Sequence, residues 1–332
     1  MLDYTNEFRA STDVSESEGV QRAIDAAAAV KQSLSFPAGL FGPFHKTLRN
    51  GTGPEGQPQP IVGFHGVDPG ETILTMRGAT PDQGWLMLVN GADGRGPFAN
   101  IFFQGDGKNG DHPDRTGTTG GIFATKGLAF ENCRFHGFGG PALAMRNSWW
   151  SSLWALDFTW CAGPVLDMDD HNAGVVGILK AGSCYAVGDE PLLRFGGSES
   201  SEYRNIFLEG CVTEKGPAIR FERSKKRLSP SMFVLSHMRT EDNRWPTLVE
   251  MVNCNHSVIE KLIRVQANVG GDLITIRRTG PKVDAGGVAI RDVWATTNKL
   301  NSVVRVYPGC TQPTLTNVKS QLASVHASPW VG

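Results

Sequence analysis

The 332-residue chain has no CxxC pair, no block of basic residues, no apolar run of membrane-spanning length and few charged residues, 20% of the total. Each absence removes a class of function. The six cysteines, Cys133, Cys161, Cys184, Cys211, Cys254 and Cys310, form no CxxC pair, so they predict structural thiols and no metal site. A formal net charge of −1 without a Lys/Arg stripe leaves no source of phosphate attraction, and nucleic acid is not an expected partner. The start, MLDYTNEFRA, lacks a charged-then-apolar signal peptide, so the expectation is synthesis in a cytoplasm without membrane insertion. No Gly-x-Ser-x-Gly elbow or Ser-His-Asp order is present. GDGKNG from residue 105 matches G-x-G-x-x-G, but no helix begins there, so the dinucleotide reading fails and no cofactor is expected.

Glycine is abundant, at 40 residues, with 19 prolines, which suits many short strands joined by many turns. Stacking the strand-like runs exposes a repeat. ALAMRNS at 142–148, VLDMDDH at 165–171, LLRFGGS at 192–198, AIRFERS at 218–224, LVEMVNC at 248–254, LITIRRT at 273–279 and VVRVYPG at 303–309 share one pattern. Their apolar column Met145, Met168, Phe195, Phe221, Met251, Ile276, Val306 steps by 23, 27, 26, 30, 25 and 30 residues. A second family lies between them, with the column Phe103, Phe130, Leu156, Ile178, Leu208, Leu235. Two interleaved strand families on one period predict a solenoid in which each repeat is one coil and each family stacks into its own parallel sheet. The fold class expected is all-β, a single-stranded parallel β-helix. About nine coils at ~4.8 Å would make a rod roughly 40 Å long. Residues 1–60 would hold a capping helix and first strand, 61–322 the coils, and 323–332 a tail.

A helix is expected near the start. SESEGVQRAIDAAAAV, 15–30, has Ser15 and Glu18 at capping-box spacing and Val20, Ile24, Ala27 and Ala28 on one face. Such a helix would cover the raw strand edges at the end of a solenoid.

Segment 7–41 then resembles the opening of pectate-lyase-like right-handed parallel β-helix proteins, especially phage tailspikes and polysaccharide depolymerases. Gln21, Ala23, Ile24, Ala27, Phe36, Pro37, Ala38 and Gly39 carry the likeness; Phe41 stands where tyrosine is usual, and SESEG replaces the usual Asp-Asp-Thr. The resemblance implies a right-handed helix, a homotrimer, other virion proteins as partners, a phage particle or the extracellular space as location, and a bacterial surface polysaccharide as ligand. The NTD and GHG motifs of polygalacturonases and the calcium-lyase signature are absent.

Several residues then become candidates for chemistry. The outward column Ala144, Asp167, Arg194, Arg220, Glu250, Thr275, Arg305 and the next, Arg146, Asp169, Gly196, Glu222, Val252, Arg277, Tyr307, read either as a charge ladder or as a site built on Asp167 and Asp169. In the second sheet Glu131 and Asp157 would fall on adjacent coils with carboxyls roughly 5 Å apart, a separation suited to glycoside cleavage. The long loop 104–121 offers Asp111, His112 and Arg115 for substrate binding. Trp149 and Trp150 either stack on sugar rings or cap the hydrophobic stack. The apolar column Ala142, Val165, Leu192, Ala218, Leu248, Leu273, Val303 is either a subunit interface or buried under the chain's own loops. Two functions stand side by side: a polysaccharide-cleaving hydrolase or lyase that uses paired carboxylates, and a non-catalytic virion component or glycan-binding module.

Overall fold

In a strand, side chains alternate between faces, and in-register parallel neighbours place like side chains ~4.8 Å apart, so a repeated alternating run stacks on its own copies. The computed structural model follows that rule. It describes residues 1–4, 8, 15–91, 96–106, 119–226, 229–267, 271–280, 286–295 and 300–320. Met1–Asn147 with Ser152–Val165, and Ser148–Ser151 with Leu166–Gly332, form two compact units. Among the described residues there is one helix, and no helix is long and apolar enough to cross a membrane.

In the first unit, Leu48–Asn50, Trp85–Val89, Gly120–Ala124 and Leu143–Met145 pair in parallel as successive rungs. A second parallel sheet runs through Leu34–Ser35, Phe64–His65, Pro97–Ala99, Ala129–His136 and Ser152–Thr159. In the second unit the corresponding rungs are Leu166–Met168, Leu193–Gly196, Ile219–Glu222, Thr247–Val252, Gly271–Arg277 and Leu300–Val306. Its other sheet contains Val175–Gly182, Glu202–Glu209, Val234–Asn243, Val258–Ala267, Ala289–Ala295 and Thr314–Ser320. Each unit is thus a parallel β-helix, the fold class expected. Parallel pairing starts with Leu2–Asp3 against Leu34–Ser35, and the expected tail lies outside the described residues.

The long strands turn a corner that the alternation of residues does not announce. Asn100, Asn132 and Ala155 in the first unit, and Ile178, Asn205, His237, Lys261, Asp292 and Asn317 in the second, all have φ between +50° and +58°. The register skips these positions, pairing Glu131 with Trp154 and then Cys133 with Leu156. A left-handed residue swings the strand onto a new face, and asparagine tolerates it better than most. The Asn132 amide donates to Asn100 Oδ1 at 2.8 Å, tying neighbouring corners together. Ile178, expected in the core, is instead one of these corners and 46% exposed.

The interior is a set of aromatic and aliphatic stacks. Phe36, Phe64, Phe98 and Phe130 follow one another at 5.3, 5.2 and 4.8 Å between ring centres, and in the second unit Phe195, Phe221 and Phe233 do so at 5.3 and 4.1 Å. The apolar column Ala142, Val165, Leu192, Ala218, Leu248, Leu273, Val303 is buried in this interior, which corrects the interface alternative. The backbone bends at Ala142, Val165, Leu192 and Ala218, just before each short strand, so two successive side chains both face inward there. Five of the cysteines are buried, and all six are free thiols.

The helix Glu16–Ala29 has both bonds of its capping box and buries Val20, Ile24, Ala27 and Ala28. Gln21 covers the strand edge directly. Its side-chain oxygen accepts from Arg49 N at 2.8 Å and its amide donates to Arg49 O at 2.9 Å, as a neighbouring strand would.

Candidate functional site

Register alone brings the charged columns of the second unit together. Asp167 lies opposite Arg194, Arg194 opposite Arg220, and Arg220 opposite Glu250, as the repeat predicts. Arg194 is the hub. Its Nη1 meets Asp167 Oδ1 at 2.8 Å, its Nη2 lies 3.6 Å from Asp169 Oδ1, and its Nε donates to Glu222. The Asp167 and Asp169 side chains are only 9% and 4% exposed. Burial opposes the charge on Arg194, but Asp167 and then Glu222 outweigh it, and the guanidinium pKa is raised. Along the ladder, Arg220 and Arg277 meet Glu250 at 2.6 and 2.8 Å, and Arg305 meets Asp272 at 3.2 Å.

The two residues after this strand turn differently. Asp170, left-handed at φ 51°, places Oδ2 3.0 Å from Lys226 Nζ. His171 is fully buried, its Nδ1 3.1 Å from the Ser148 carbonyl oxygen, which makes Nδ1 the donor. Burial lowers its pKa to about 4. It is a core group packed against Tyr203 and Phe195.

In the first unit the expected carboxylate pair does not assemble. Glu131 is exposed and lies opposite Trp154, whereas Asp157 lies opposite Arg134 on the other side of the corner. Arg134 Nε is 3.3 Å from Asp157 Oδ2. The adjacent-coil separation of roughly 5 Å therefore does not arise. Asp111, His112 and Arg115 lie outside the described residues.

Trp149 and Trp150 occupy a turn of the second unit and are 47% and 55% exposed. That turn repeats down the coils. Trp150 N donates to Asn172 O, Ala173 N to Glu199 O, Ser200 N to Ser231 O and Met232 N to Asn255 O, at 2.8, 2.9, 3.2 and 3.1 Å. Parallel bridges join Asn172 to Glu199, Glu199 to Ser231 and Ser231 to Asn255. Trp150, Ala173, Ser200, Met232 and His256 are all left-handed and exposed, forming an outer row beside the polar row Asn172, Glu199, Ser231, Asn255. The tryptophans stand out in the sequence, whereas the rows do not. Their signal was the fixed offset from the strand pattern: Trp150, Ala173 and Ser200 each follow the column of Met145, Met168 and Phe195 by five residues.

No protein-family model and no curated protein matches the chain. Among solved structures it is similar to the catalytic domain of a GH87 alpha-1,3-glucanase in complex with nigerose. That match has 12% identity and a TM-score of 0.46, and covers 95% of this chain and 67% of the other. It is also similar to the A-module of the mannuronan C-5 epimerase AlgE6 of Azotobacter vinelandii, at 11% identity and a TM-score of 0.43, over 96% of this chain and 95% of the other. The fold assignment stands on the parallel ladders described above.

Proposed function

We propose that this chain binds an extended polysaccharide along the turn of Trp149 and Trp150. The observation that carries the reading is Trp150 itself: a bulky residue held at φ 54° and 55% exposed. A left-handed backbone costs a non-glycine residue roughly 1–2 kcal/mol, and an exposed ring regains little of that through burial. A flat aromatic face at the end of the row Asn172, Glu199, Ser231, Asn255 suits a sugar chain, whose rings stack on π faces and whose hydroxyls both donate and accept. The rungs repeat every ~4.8 Å, so the polar row is extended in one direction, as a polymer ligand requires. The likeness of 7–41 to tailspikes makes a bacterial surface glycan the class to screen first and a phage particle the place to look.

Cleavage has less support. A general acid must reach the leaving oxygen, and Asp167 and Asp169 are buried and held by Arg194. The test is incubation with a panel of capsular and O-antigen polysaccharides, followed by affinity electrophoresis and by assays for reducing ends and unsaturated products. The reading expects retardation by at least one polysaccharide, lost in the Trp149→Ala/Trp150→Ala variant, and no new chain ends. Absence of retardation, or retardation indifferent to that variant, overturns it. New chain ends that disappear in Asp169→Asn would replace it with the cleavage reading.

A further inference from the structure

A cleft of about 310 Å³ lies in the first unit between the helix Glu16–Ala29 and the edge strand Leu48–Asn50. Its volume is at the lower end for ligand sites, enough for one or two sugar-sized rings. We infer that this cleft is a second saccharide site, built to hold a single uncharged sugar ring. Its lining belongs to the first unit, whereas Trp149 and Trp150 belong to the second.

The walls are fixed before any ligand arrives. Gln21 is held at both ends by the Arg49 backbone, and its amide also donates to Asp25 Oδ1 at 3.1 Å. Asp82 Oδ1 accepts from Thr47 N at 2.8 Å, and Ser17 Oγ accepts from the backbone of His45 and Lys46. Lys46 is taken by Glu18 at 2.6 Å. Two groups keep unused capacity: among the described residues, the Arg49 guanidinium and Asp25 Oδ2 make no hydrogen bond or ion pair. Burial raises the pKa of Asp25, which marks it as partly withdrawn from water.

The lining selects the ligand class by elimination. Two cations, Lys46 and Arg49, against three carboxylates, Glu18, Asp25 and Asp82, leave a local charge of −1, which disfavours an anion. No three His, Cys, Asp or Glu side chains among the described residues come together to hold a metal ion. No large apolar side chain lines the cleft, so an apolar ligand has nothing to bury against. A carboxylate that accepts and a guanidinium that donates in a fork match the paired hydroxyls of a sugar, and the preset walls reduce the ordering cost of binding.

The test is saturation-transfer NMR on the full chain with the methyl glycosides of glucose, galactose, mannose and N-acetylglucosamine. Transfer to at least one glycoside is expected to persist in the Trp149→Ala/Trp150→Ala variant. Affinity should fall about tenfold in Asp25→Asn and in Arg49→Ala, the loss of one charge-assisted hydrogen bond. Asp25→Asn retains an oxygen for Gln21, and Arg49→Ala leaves both backbone bonds in place, so unchanged thermal melting separates lost binding from lost folding. No transfer to any glycoside, or transfer insensitive to both cleft variants, overturns the inference. Transfer abolished by the tryptophan variant alone would do so as well, while leaving the polysaccharide reading of the turn intact.

Discussion

Two faces of the second unit use the same repeat for opposite ends. On the short-strand sheet, Asp167, Asp169 and Glu222 spend their charge on Arg194, and Glu250 spends its own on Arg220 and Arg277. At the next turn, the outer row from Trp150 to His256 stays exposed and holds its backbone in a less favoured conformation. Charged groups that complete one another within the chain stabilise the coil and leave little for a ligand. Groups held outward in an exposed row are the ones a partner can reach.

The largest effect should come from breaking the hub. Arg194→Ala strands three carboxylates with little solvent to compensate, and unfolding free energy should fall by about 3–5 kcal/mol in denaturant melts. A fall below about 1 kcal/mol would remove the ladder from the structural side of the comparison.

Next is the pH response of His171. Its folded pKa, about 4, is depressed, while the unfolded chain titrates near ~6.5. The unfolded state therefore binds the proton first as pH drops. The stability that neutral His171 contributes is complete above ~6.5 and lost progressively down to about 4, on the order of 3 kcal/mol in all. In His171→Gln that slope should flatten between pH 6.5 and 4, measured by chemical denaturation across the range; an unchanged slope would contradict a neutral buried ring.

Smaller effects separate stability from binding at the turn and corner. Trp150→Asn, a better left-handed residue, should leave thermal stability equal or higher while weakening polysaccharide retardation about tenfold, as lost ring stacking would. Ile178→Asn at the strand corner should raise stability by roughly 1 kcal/mol through the same backbone relief, with no change in binding.

These faces were not equally legible in the sequence. The short strands Leu166–Met168 and Leu193–Gly196 are uninterrupted, so alternation placed Asp167 opposite Arg194 correctly. The longer strands carry a left-handed corner whose occupants vary, asparagine at Asn132 and Asn205 but Ala155 and Ile178 between them. The corner resets the alternation, which is why Glu131 and Asp157 were read as neighbours and lie apart. The apolar stripe from Ala142 was misread for a related reason, because a bend lets two successive residues face inward. The cleft beside Gln21 was not legible at all. It depends on residues as distant in sequence as Asp25 and Asp82, brought together by the packing of the helix on its edge strand. The cluster Asp167, Asp169, Asp170, His171 was visible as a cluster, but three-dimensional register was needed to resolve it into ladder, turn and core.

The most direct measurement sets the two faces against each other on one ligand. A polysaccharide that retards the chain in affinity electrophoresis is rerun with Asp169→Asn and with Trp149→Ala/Trp150→Ala, each first shown folded by circular dichroism. Retardation should be kept in Asp169→Asn and lost in the tryptophan variant. Retardation kept in the tryptophan variant and lost in Asp169→Asn would contradict this, and would return the site to the buried carboxylates.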